Sequence, residues 1–290
     1  MKTWIASLAL AMTGVGIKMI YPSFSIVTPS FNQGRFIGRT IESVLAQNIS
    51  GLEYFVFDGG SGDNTVSVLK QFESRLQWVS ERDDGQAHAV NKGLRKASGD
   101  IIGWLNSDDV YYPGALAAVQ QFFAKHPDVD VVYGKANHID TDDQVIEAYP
   151  TQEWDVQKLK QTCFLCQPAV FFRRSVIERV GGLDEKLNFC MDYEFWLRLG
   201  KAGVKFAYLP SILAGSRLHD QTKTLSAPFK AHWEACLMLK EKFGYVPVRW
   251  LKSMAVLWVK KNTQLRKPQV RFVLLVGLVM GWFGIRFHLV

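Results

Sequence analysis

Short apolar runs alternate with helical patterns through the first half of the chain. The apolar runs are typical of buried strands; they lie at residues 24–28, 53–57, 76–80, 101–105 and 129–133. The segments between them repeat apolar residues every three or four positions, as amphipathic helices do; these lie at 35–47, 64–72, 87–96 and 113–125. This regular alternation predicts an α/β fold with a Rossmann-like, mostly parallel central sheet flanked by helices.

The pattern is less regular after residue 134. The elements predicted there are a polar loop or hairpin at 135–150, strands at 169–172 and 204–209, and helices at 173–180, from Asp192 onward, at 227–243 and at 245–261. The last of these is amphipathic, with Trp and Lys/Arg flanks that suit a bilayer interface. We therefore expect the chain to end in a helical tail that is both basic and apolar.

Both ends of the chain carry apolar segments that are short for a membrane span. Residues 4–17 indicate an anchor or an upstream extension of the reading frame rather than a signal peptide, because no small-x-small cleavage site precedes Tyr21. Residues 272–285 favour a re-entrant or in-plane segment, with a core or dimer helix as the alternative. The predicted regions are 1–20, 21–225 and 226–290.

The net charge of +7 is unevenly distributed. Residues 240–290 carry ten Lys or Arg and one acid, Glu241, which is a net charge of +9 and leaves −2 for residues 1–239. A nearly neutral body argues against a nucleic-acid surface. A basic tail suits the anionic face of a membrane.

The four cysteines are too few for a disulfide framework in a chain of this length. Cys163 and Cys166 have the spacing of a metal or redox pair, but no second pair is present to close a zinc site. We expect reduced, buried thiols, as in a cytosolic protein.

Two adjacent carboxylates end the most apolar strand. Residues 101–105 lead directly into Asn106, Ser107, Asp108 and Asp109. Like charges held side by side repel, and a divalent cation such as Mg²⁺ or Mn²⁺ would offset that cost while it shares its ligands with a phosphate. Asp109 is the candidate metal ligand, and Asp108 would contact the substrate or the metal. The alternative is a turn in which an Asp caps the next helix.

Other polar residues follow the neighbouring strands. Residues 28–32 and Asp58 are predicted at the same carboxyl-end rim, where nucleotides bind in open α/β sheets. Asp192, at a helix start, is either a cap or a general base. His219 is either a metal ligand or an ordinary surface histidine.

Residues 24–225 resemble the family-2 glycosyltransferases, which have the GT-A fold. The matching segments are SIVTPSFN (25–32), FDGGSGDNT (57–65), DG with AVNKG (84–85, 89–93), LNSDD (105–109), FFRR (171–174), GGLD (181–184) and DYEFWLR (192–198). Their shared order makes the resemblance specific for the family, though not for a substrate.

The resemblance implies roles for the matched positions. Asp58 would bind the nucleobase in a pocket lined by Thr28 and Pro29, and Asp108 would contact ribose or the donor sugar. Asp192 would be the catalytic base. The other implied site residues are Asn32, Asp84 and Lys92 toward the nucleotide or donor sugar, with Asp109 and His219 on the metal.

Two positions depart from the family pattern. Gly59 stands where many members carry a second Asp, which weakens the expected base or ribose contact. Met191 stands where a Glu often precedes the base, so a single acid remains there.

The implied function is an inverting, metal-dependent hexosyltransferase. The donor would be a nucleotide-sugar, a UDP-sugar by default, and the acceptor a sugar or a lipid-linked hydroxyl. We expect a role in cell-surface polysaccharide or glycolipid assembly at the cytoplasmic face of the membrane, and no nucleic-acid partner.

Two other classes compete with this interpretation. A catalytically silent nucleotide-binding scaffold would not need Asp192. A nucleotidyltransferase would want a basic, glycine-rich loop after the first strand, and the loop here offers only Arg35. The oligomeric state stays open.

Overall fold

A computed structural model of the chain describes residues 21–262, with side chains through residue 257. The predicted extension at 1–20 and the apolar segment at 272–285 lie outside the described residues. Nine strands form one sheet in the order β3-β2-β1-β4-β8-β6-β9-β5, with β7 paired to β6.

The first half follows the predicted alternation. Its elements are β1 (Phe24–Ser30), α1 (Ile37–Leu45), β2 (Glu53–Asp58), α2 (Thr65–Lys70), β3 (Gln77–Ser80), α3 (Gln86–Lys96) and β4 (Ile101–Trp104). The four strands pair in parallel, so their carboxyl ends meet at one edge. This confirms the rim on which the predicted site depends.

The second half extends the sheet with both antiparallel and parallel strand pairs. Its elements are β5 (Val110–Tyr111), α4 (Ala115–Lys125), β6 (Val131–Ile139), β7 (Val145–Ala148), α5 (Val156–Leu159), β8 (Val170–Arg173), α6 (Arg174–Val180), α7 (Met191–Lys201), β9 (Phe206–Arg217), α8 (Lys223–Ser226), α9 (Pro228–Phe243) and α10 (Val248–Asn262). Strand β8 lies antiparallel between β4 and β6, and β5 pairs antiparallel with β9. The sheet is therefore mixed, and the α/β class is confirmed.

Two strands are longer than their apolar patterns predict. Strand β6 continues past Gly134, where its pairing with β9 shifts register, and β9 continues through Pro210 to Arg217. A bulge and a proline interrupt the period of two from which a strand is recognised. The extension of β9 matters because it carries Arg217 to the site.

Helices cover both faces of the sheet. One hydrophobic cluster joins the sheet to α3, α6, α7 and α9, and a second joins it to α1, α2 and α4. Ala235, Met238 and Leu239 of α9 belong to the first cluster together with Phe195 and Trp196 of α7. The first helix of the predicted tail therefore packs on the same core as the residues before it.

The two last helices confirm the helical pattern predicted for residues 227–261. Among residues 21–262, no helix has both the length and the apolar character to cross a bilayer.

Candidate functional site

Asp58 shapes the glycine-rich loop at the end of β2. Its carboxylate is 2% exposed and lies beside Ser30, the last residue of β1. It accepts hydrogen bonds from the Ser61 amide at 2.9 Å, the Ser61 hydroxyl at 2.5 Å and the Ser80 hydroxyl at 2.6 Å. A buried carboxylate held by several donors fixes the loop in one conformation. Its predicted contact with a nucleobase stays a prediction.

The loop after β1 presents an exposed aromatic ring, Phe31, to which the sequence motifs give no role. Thr28 is fully buried and its hydroxyl lies 3.2 Å from the Tyr54 hydroxyl, so its side chain faces the core. Pro29 is buried in the same strand. Asn32 exchanges hydrogen bonds with the glycine-rich loop, whereas Phe31 is 60% exposed. An exposed aromatic ring at such a rim offers a stacking face for a base.

Of the two acids after β3, Asp83 and not Asp84 lies against the rim. The Asp84 side chain is 90% exposed, and its backbone amide donates to His88. The Asp83 carboxylate accepts from the Gly85 amide at 2.8 Å. A methyl group placed on Gly59 would lie 3.0 Å from the same carboxylate. Asp83 therefore fills the space next to Gly59, where the family pattern often has a second acid.

Lys92 is engaged elsewhere. Its ammonium pairs with the exposed Glu81 carboxylate at 2.7 Å. The structure thus places Lys92 in a surface ion pair on α3, and its predicted contact with the donor stays a prediction.

Asp109 is buried at the tip of the central strand. It is 4% exposed, accepts from the Arg217 amide at 2.9 Å, and has the Asn106 side-chain amide 3.3 Å away. Asn106 is oriented in turn by Gln167 at 2.8 Å. Burial raises the pKa of Asp109 well above its usual value, and repulsion from the Asp108 carboxylate adds to the effect. A carboxylate in this situation gains strongly from a nearby cation.

His219 is brought to Asp108. Its Nε2 lies 3.0 Å from the Asp108 carboxylate, and its ring packs on Phe36 with 4.7 Å between ring centroids. His219 was predicted as a metal ligand with Asp109; the contact that the structure gives it is with the neighbouring carboxylate.

Arg217 holds this region together, and no sequence pattern pointed to it. Its side chain is fully buried, and its Nε donates to the Asp108 carbonyl at 2.7 Å. Its guanidinium also donates to the Asp140 carbonyl, pairs with Asp143 in the β6–β7 turn, and stacks 5.1 Å from the Phe36 ring. Arg217 thus ties the Asp108–Asp109 tip to the turn of a distant hairpin.

The donor set fits a metal that is shared with a substrate. Within residues 21–257, no three His, Cys, Asp or Glu side chains converge on one point to hold an ion by themselves. Asp109 with Asp108 or His219 offers carboxylate oxygens and an imidazole nitrogen. Mn²⁺ binds both kinds of ligand, whereas Mg²⁺ prefers the oxygens. Such ions commonly take one or two protein carboxylates and complete their shell with phosphate oxygens and water.

Asp192 lies in the first turn of α7. Burial raises its pKa from 3.8 to about 6, although its Oδ1 accepts from the Tyr193 amide at 2.8 Å. The thiols of Cys163 and Cys166 lie in the same surroundings, and burial raises the pKa of both. The four cysteines are free thiols. A carboxylate of this pKa is ionised at neutral pH yet binds a proton more readily than an exposed one.

An open cleft of about 540 Å³ lies between the loop after β1 and the loop after β9. Asn32, Arg35, Phe36, His219 and Asp220 are among the residues that line it. His219, whose ring contacts the Asp108 carboxylate, is part of its lining, so the cleft adjoins the acidic tip through that histidine.

Comparisons with known proteins identify the family to which the chain belongs. The family model described as Glycosyl transferase family 2 matches residues 25–181, more than half of the chain. An uncharacterized glycosyltransferase of Rickettsia typhi is 26% identical over 90% of this chain and 87% of that protein. The chondroitin synthase of Escherichia coli is 28% identical over 70% of this chain and 30% of the synthase, so the chain spans under a third of that enzyme.

Solved structures share the fold. The crystal structure of S. aureus TarS residues 1–349 with UDP-GlcNAc has a TM-score of 0.60, 16% identity, and coverage of 88% of this chain and 71% of that one. The mannosyltransferase PcManGT from Pyrobaculum calidifontis, in complex with GDP-Man and Mn²⁺, has a TM-score of 0.61, 17% identity, and coverage of 92% and 89%. At these identities the match concerns the fold alone.

Proposed function

The chain belongs to glycosyl transferase family 2 and is a glycosyltransferase, and from that premise we propose that it transfers a sugar with inversion, using a divalent metal and a nucleotide-sugar donor. The observation that carries the proposal is the adjacent pair of Asp108 and the buried Asp109, with His219 3.0 Å from the Asp108 carboxylate. Solved neighbours of the same fold contain UDP-GlcNAc or GDP-Man; a UDP-sugar is the donor to test first.

Residues along the rim would bind successive parts of the donor, from the base to the diphosphate. Phe31 would stack on the base, with Asp58 and Asp83 at its polar edge, and Asp108 would reach the ribose or the sugar. Asp109 and His219 would hold the metal. That metal would neutralise charge on the departing diphosphate.

Asp192 would act on the acceptor side. Its carboxylate would remove the proton of the acceptor hydroxyl as the oxygen bonds to the anomeric carbon and the bond to the diphosphate breaks. Because base and diphosphate would lie on opposite sides of the sugar, the configuration at the anomeric carbon would invert. Burial of Asp192 supports this role, since a pKa of about 6 makes the carboxylate a stronger base than an exposed one and still leaves it mostly ionised at neutral pH.

Binding of nucleoside diphosphates tests the proposed donor site. We expect UDP, or failing that GDP or dTDP, to bind in calorimetry only with Mn²⁺ present. The substitution Asp83→Asn should weaken that binding about 10- to 100-fold, because a charge-assisted hydrogen bond contributes about 1.5–3 kcal/mol. Asp84→Asn is the matched control and should change it less than about twofold. Folded protein that binds none of the three would contradict the proposed donor site, whereas binding without turnover would favour the silent-scaffold alternative.

We further propose that the acceptor is membrane-proximal, in cell-surface polysaccharide or glycolipid assembly. The helix α9 exposes Trp233 and Leu237 one turn apart, and α10 exposes Val248 and Leu251 beside basic residues. Aromatic and basic side chains together suit an anionic interface. The related chondroitin synthase is named for making a polysaccharide.

Sedimentation with lipid vesicles tests the membrane contact. We expect the protein to bind phosphatidylcholine vesicles only when they contain phosphatidylglycerol. The double substitution Trp233→Ser/Leu237→Ser should lower binding at least about tenfold, since each large apolar side chain contributes on the order of 1.5–3 kcal/mol when buried. Val145→Ser/Ile146→Ser, on the exposed strand β7, is the control. Equal losses in both variants would contradict the proposal.

A further inference from the structure

One carboxylate from α9 holds the loop that leads into α7. Glu234 accepts hydrogen bonds from the backbone amides of three consecutive residues: Asn188 at 2.9 Å, Phe189 at 2.6 Å and Cys190 at 3.0 Å. Cys190 is the residue immediately before α7, and its side chain does not cap the helix. Glu234 thus fixes the chain two residues before Asp192.

These bonds are of the strong kind. A carboxylate that accepts from backbone amides forms short, charge-assisted hydrogen bonds. A negative charge near the first turn of a helix is also favourable, because the free amides there carry partial positive charge. Without Glu234, the exposed amide of Asn188 and the partly buried amides of Phe189 and Cys190 would lose their partner. The loop would have no other anchor of comparable strength among the contacts that the structure describes.

A second side chain from the same part of the chain holds the loop by its other edge. The Lys223 ammonium donates to the Asn188 carbonyl at 3.2 Å. Lys223 as a whole is exposed, but partial burial of its ammonium lowers the pKa of that group. The carboxylates of Glu234, Asp108 and Asp192 lie near the ammonium and act in the opposite direction. The loop is therefore held through an amide edge and a carbonyl edge by residues that follow β9.

We propose that Glu234 is a positioning residue for the general base. It would act through the loop at 188–190, without touching donor or acceptor, by fixing where α7 starts and hence where the Asp192 carboxylate points. The inference rests on the proposed role of Asp192. It makes α9 part of the catalytic unit, although that helix lies beyond the residues 25–181 that define the family match.

Amide exchange and turnover together test this role. In Glu234→Gln, one acceptor oxygen is replaced by a donor that faces other donors. We expect hydrogen–deuterium exchange at residues 188–192 to rise at least tenfold, whichever donor the enzyme uses. Release of UDP from UDP-N-acetylglucosamine, or of GDP from GDP-mannose, with Mn²⁺ should fall about 10- to 100-fold in kcat, with donor KM within about twofold, because small misplacements of a reacting group cost rates of that order.

Three controls separate positioning from general stability. Glu241→Gln, an exposed change on the same helix, should leave exchange and kcat unchanged. Glu234→Asp keeps the charge and should recover part of the activity if Glu234→Gln folds poorly. In the Asp192→Asn background, Glu234→Gln should cause no further loss, since residues that act through one another are non-additive.

Two results would overturn the inference. One is unchanged exchange at residues 188–192 in Glu234→Gln. The other is a loss that is mainly in donor KM, or that repeats in full in the Asp192→Asn background. If instead Asp192→Asn itself keeps full turnover, the proposed base is wrong, and that failure is distinct from failure of the Glu234 proposal.

Discussion

Replacing Asp109 with asparagine should lower turnover about 1000-fold or more and abolish Mn²⁺-dependent nucleotide binding. The side chain keeps its size and its oxygen can still accept from the Arg217 amide, so the fold should survive. What is lost is the negative charge that would hold the metal against the diphosphate. Because stabilisation of charge on a leaving group is usually a large part of catalysis, this loss should at least equal that of the base.

Calorimetry with the tightest-binding nucleoside diphosphate, with and without Mn²⁺, measures the binding, and product release measures the turnover. Asp142→Asn is the control, because Asp142 lies exposed in the β6–β7 turn. The folded state should not be weakened by Asp109→Asn, because burial and the Asp108 carboxylate already raise the pKa of Asp109. Metal-dependent binding that persists in Asp109→Asn would contradict the assignment.

The substitution Asp192→Asn should lower kcat by about 10² to 10⁴-fold, the usual contribution of general-base catalysis, with nucleotide binding retained. The same change should stabilise the fold at pH 7. The carboxylate has a pKa of about 6 in the folded protein against 3.8 ordinarily, so folding opposes its ionisation. Removing the charge should raise the free energy of unfolding by about 1–2 kcal/mol, after allowance for the favourable interaction of a negative charge with the start of a helix.

The stability gained by Asp192→Asn should depend on pH. Above pH 6 the folded wild type carries the unfavourable charge, so the stability gained by Asp192→Asn is fully present there. It declines as pH falls through 6 and is gone below about 4. Thermal unfolding of both proteins at several pH values measures it, and kcat/KM of the wild type should fall about tenfold per pH unit below 6. A kcat/KM that stays level down to pH 4.5 would rule out Asp192 as the base.

The rim could be predicted because strand ends are visible in a sequence. The apolar runs before Asp58 and Asp108 end abruptly in polar residues, and parallel strands place such ends at one edge. Asp192 could be located in the same way, as an acid at the start of a periodic helix. The parts of the site that depend on local pattern were therefore accessible from the chain alone.

Residues whose role depends on tertiary contacts could not be identified from the sequence. Arg217 ends a strand that a proline interrupts, and nothing local shows that its guanidinium is buried. Asp83 and Asp84 look equivalent in the sequence; the backbone turn at Gly85, with φ of 109°, accompanies their opposite placement. Glu234 lies 42 positions beyond Asp192 on a helix whose pattern indicates only packing. Their partners are set by the fold and not by spacing.

The order of strands in the sheet also bears on how the enzyme is made. Strands β1 to β4 pair among themselves and are the first strands to leave the ribosome, so four of the nine strands can assemble early. Asp109, however, gets its partner amide from Arg217, and the loop before Asp192 waits for Glu234. A nascent chain therefore lacks these contacts, and with them the complete form of the proposed reaction centre, until nearly all of residues 21–243 have been synthesised.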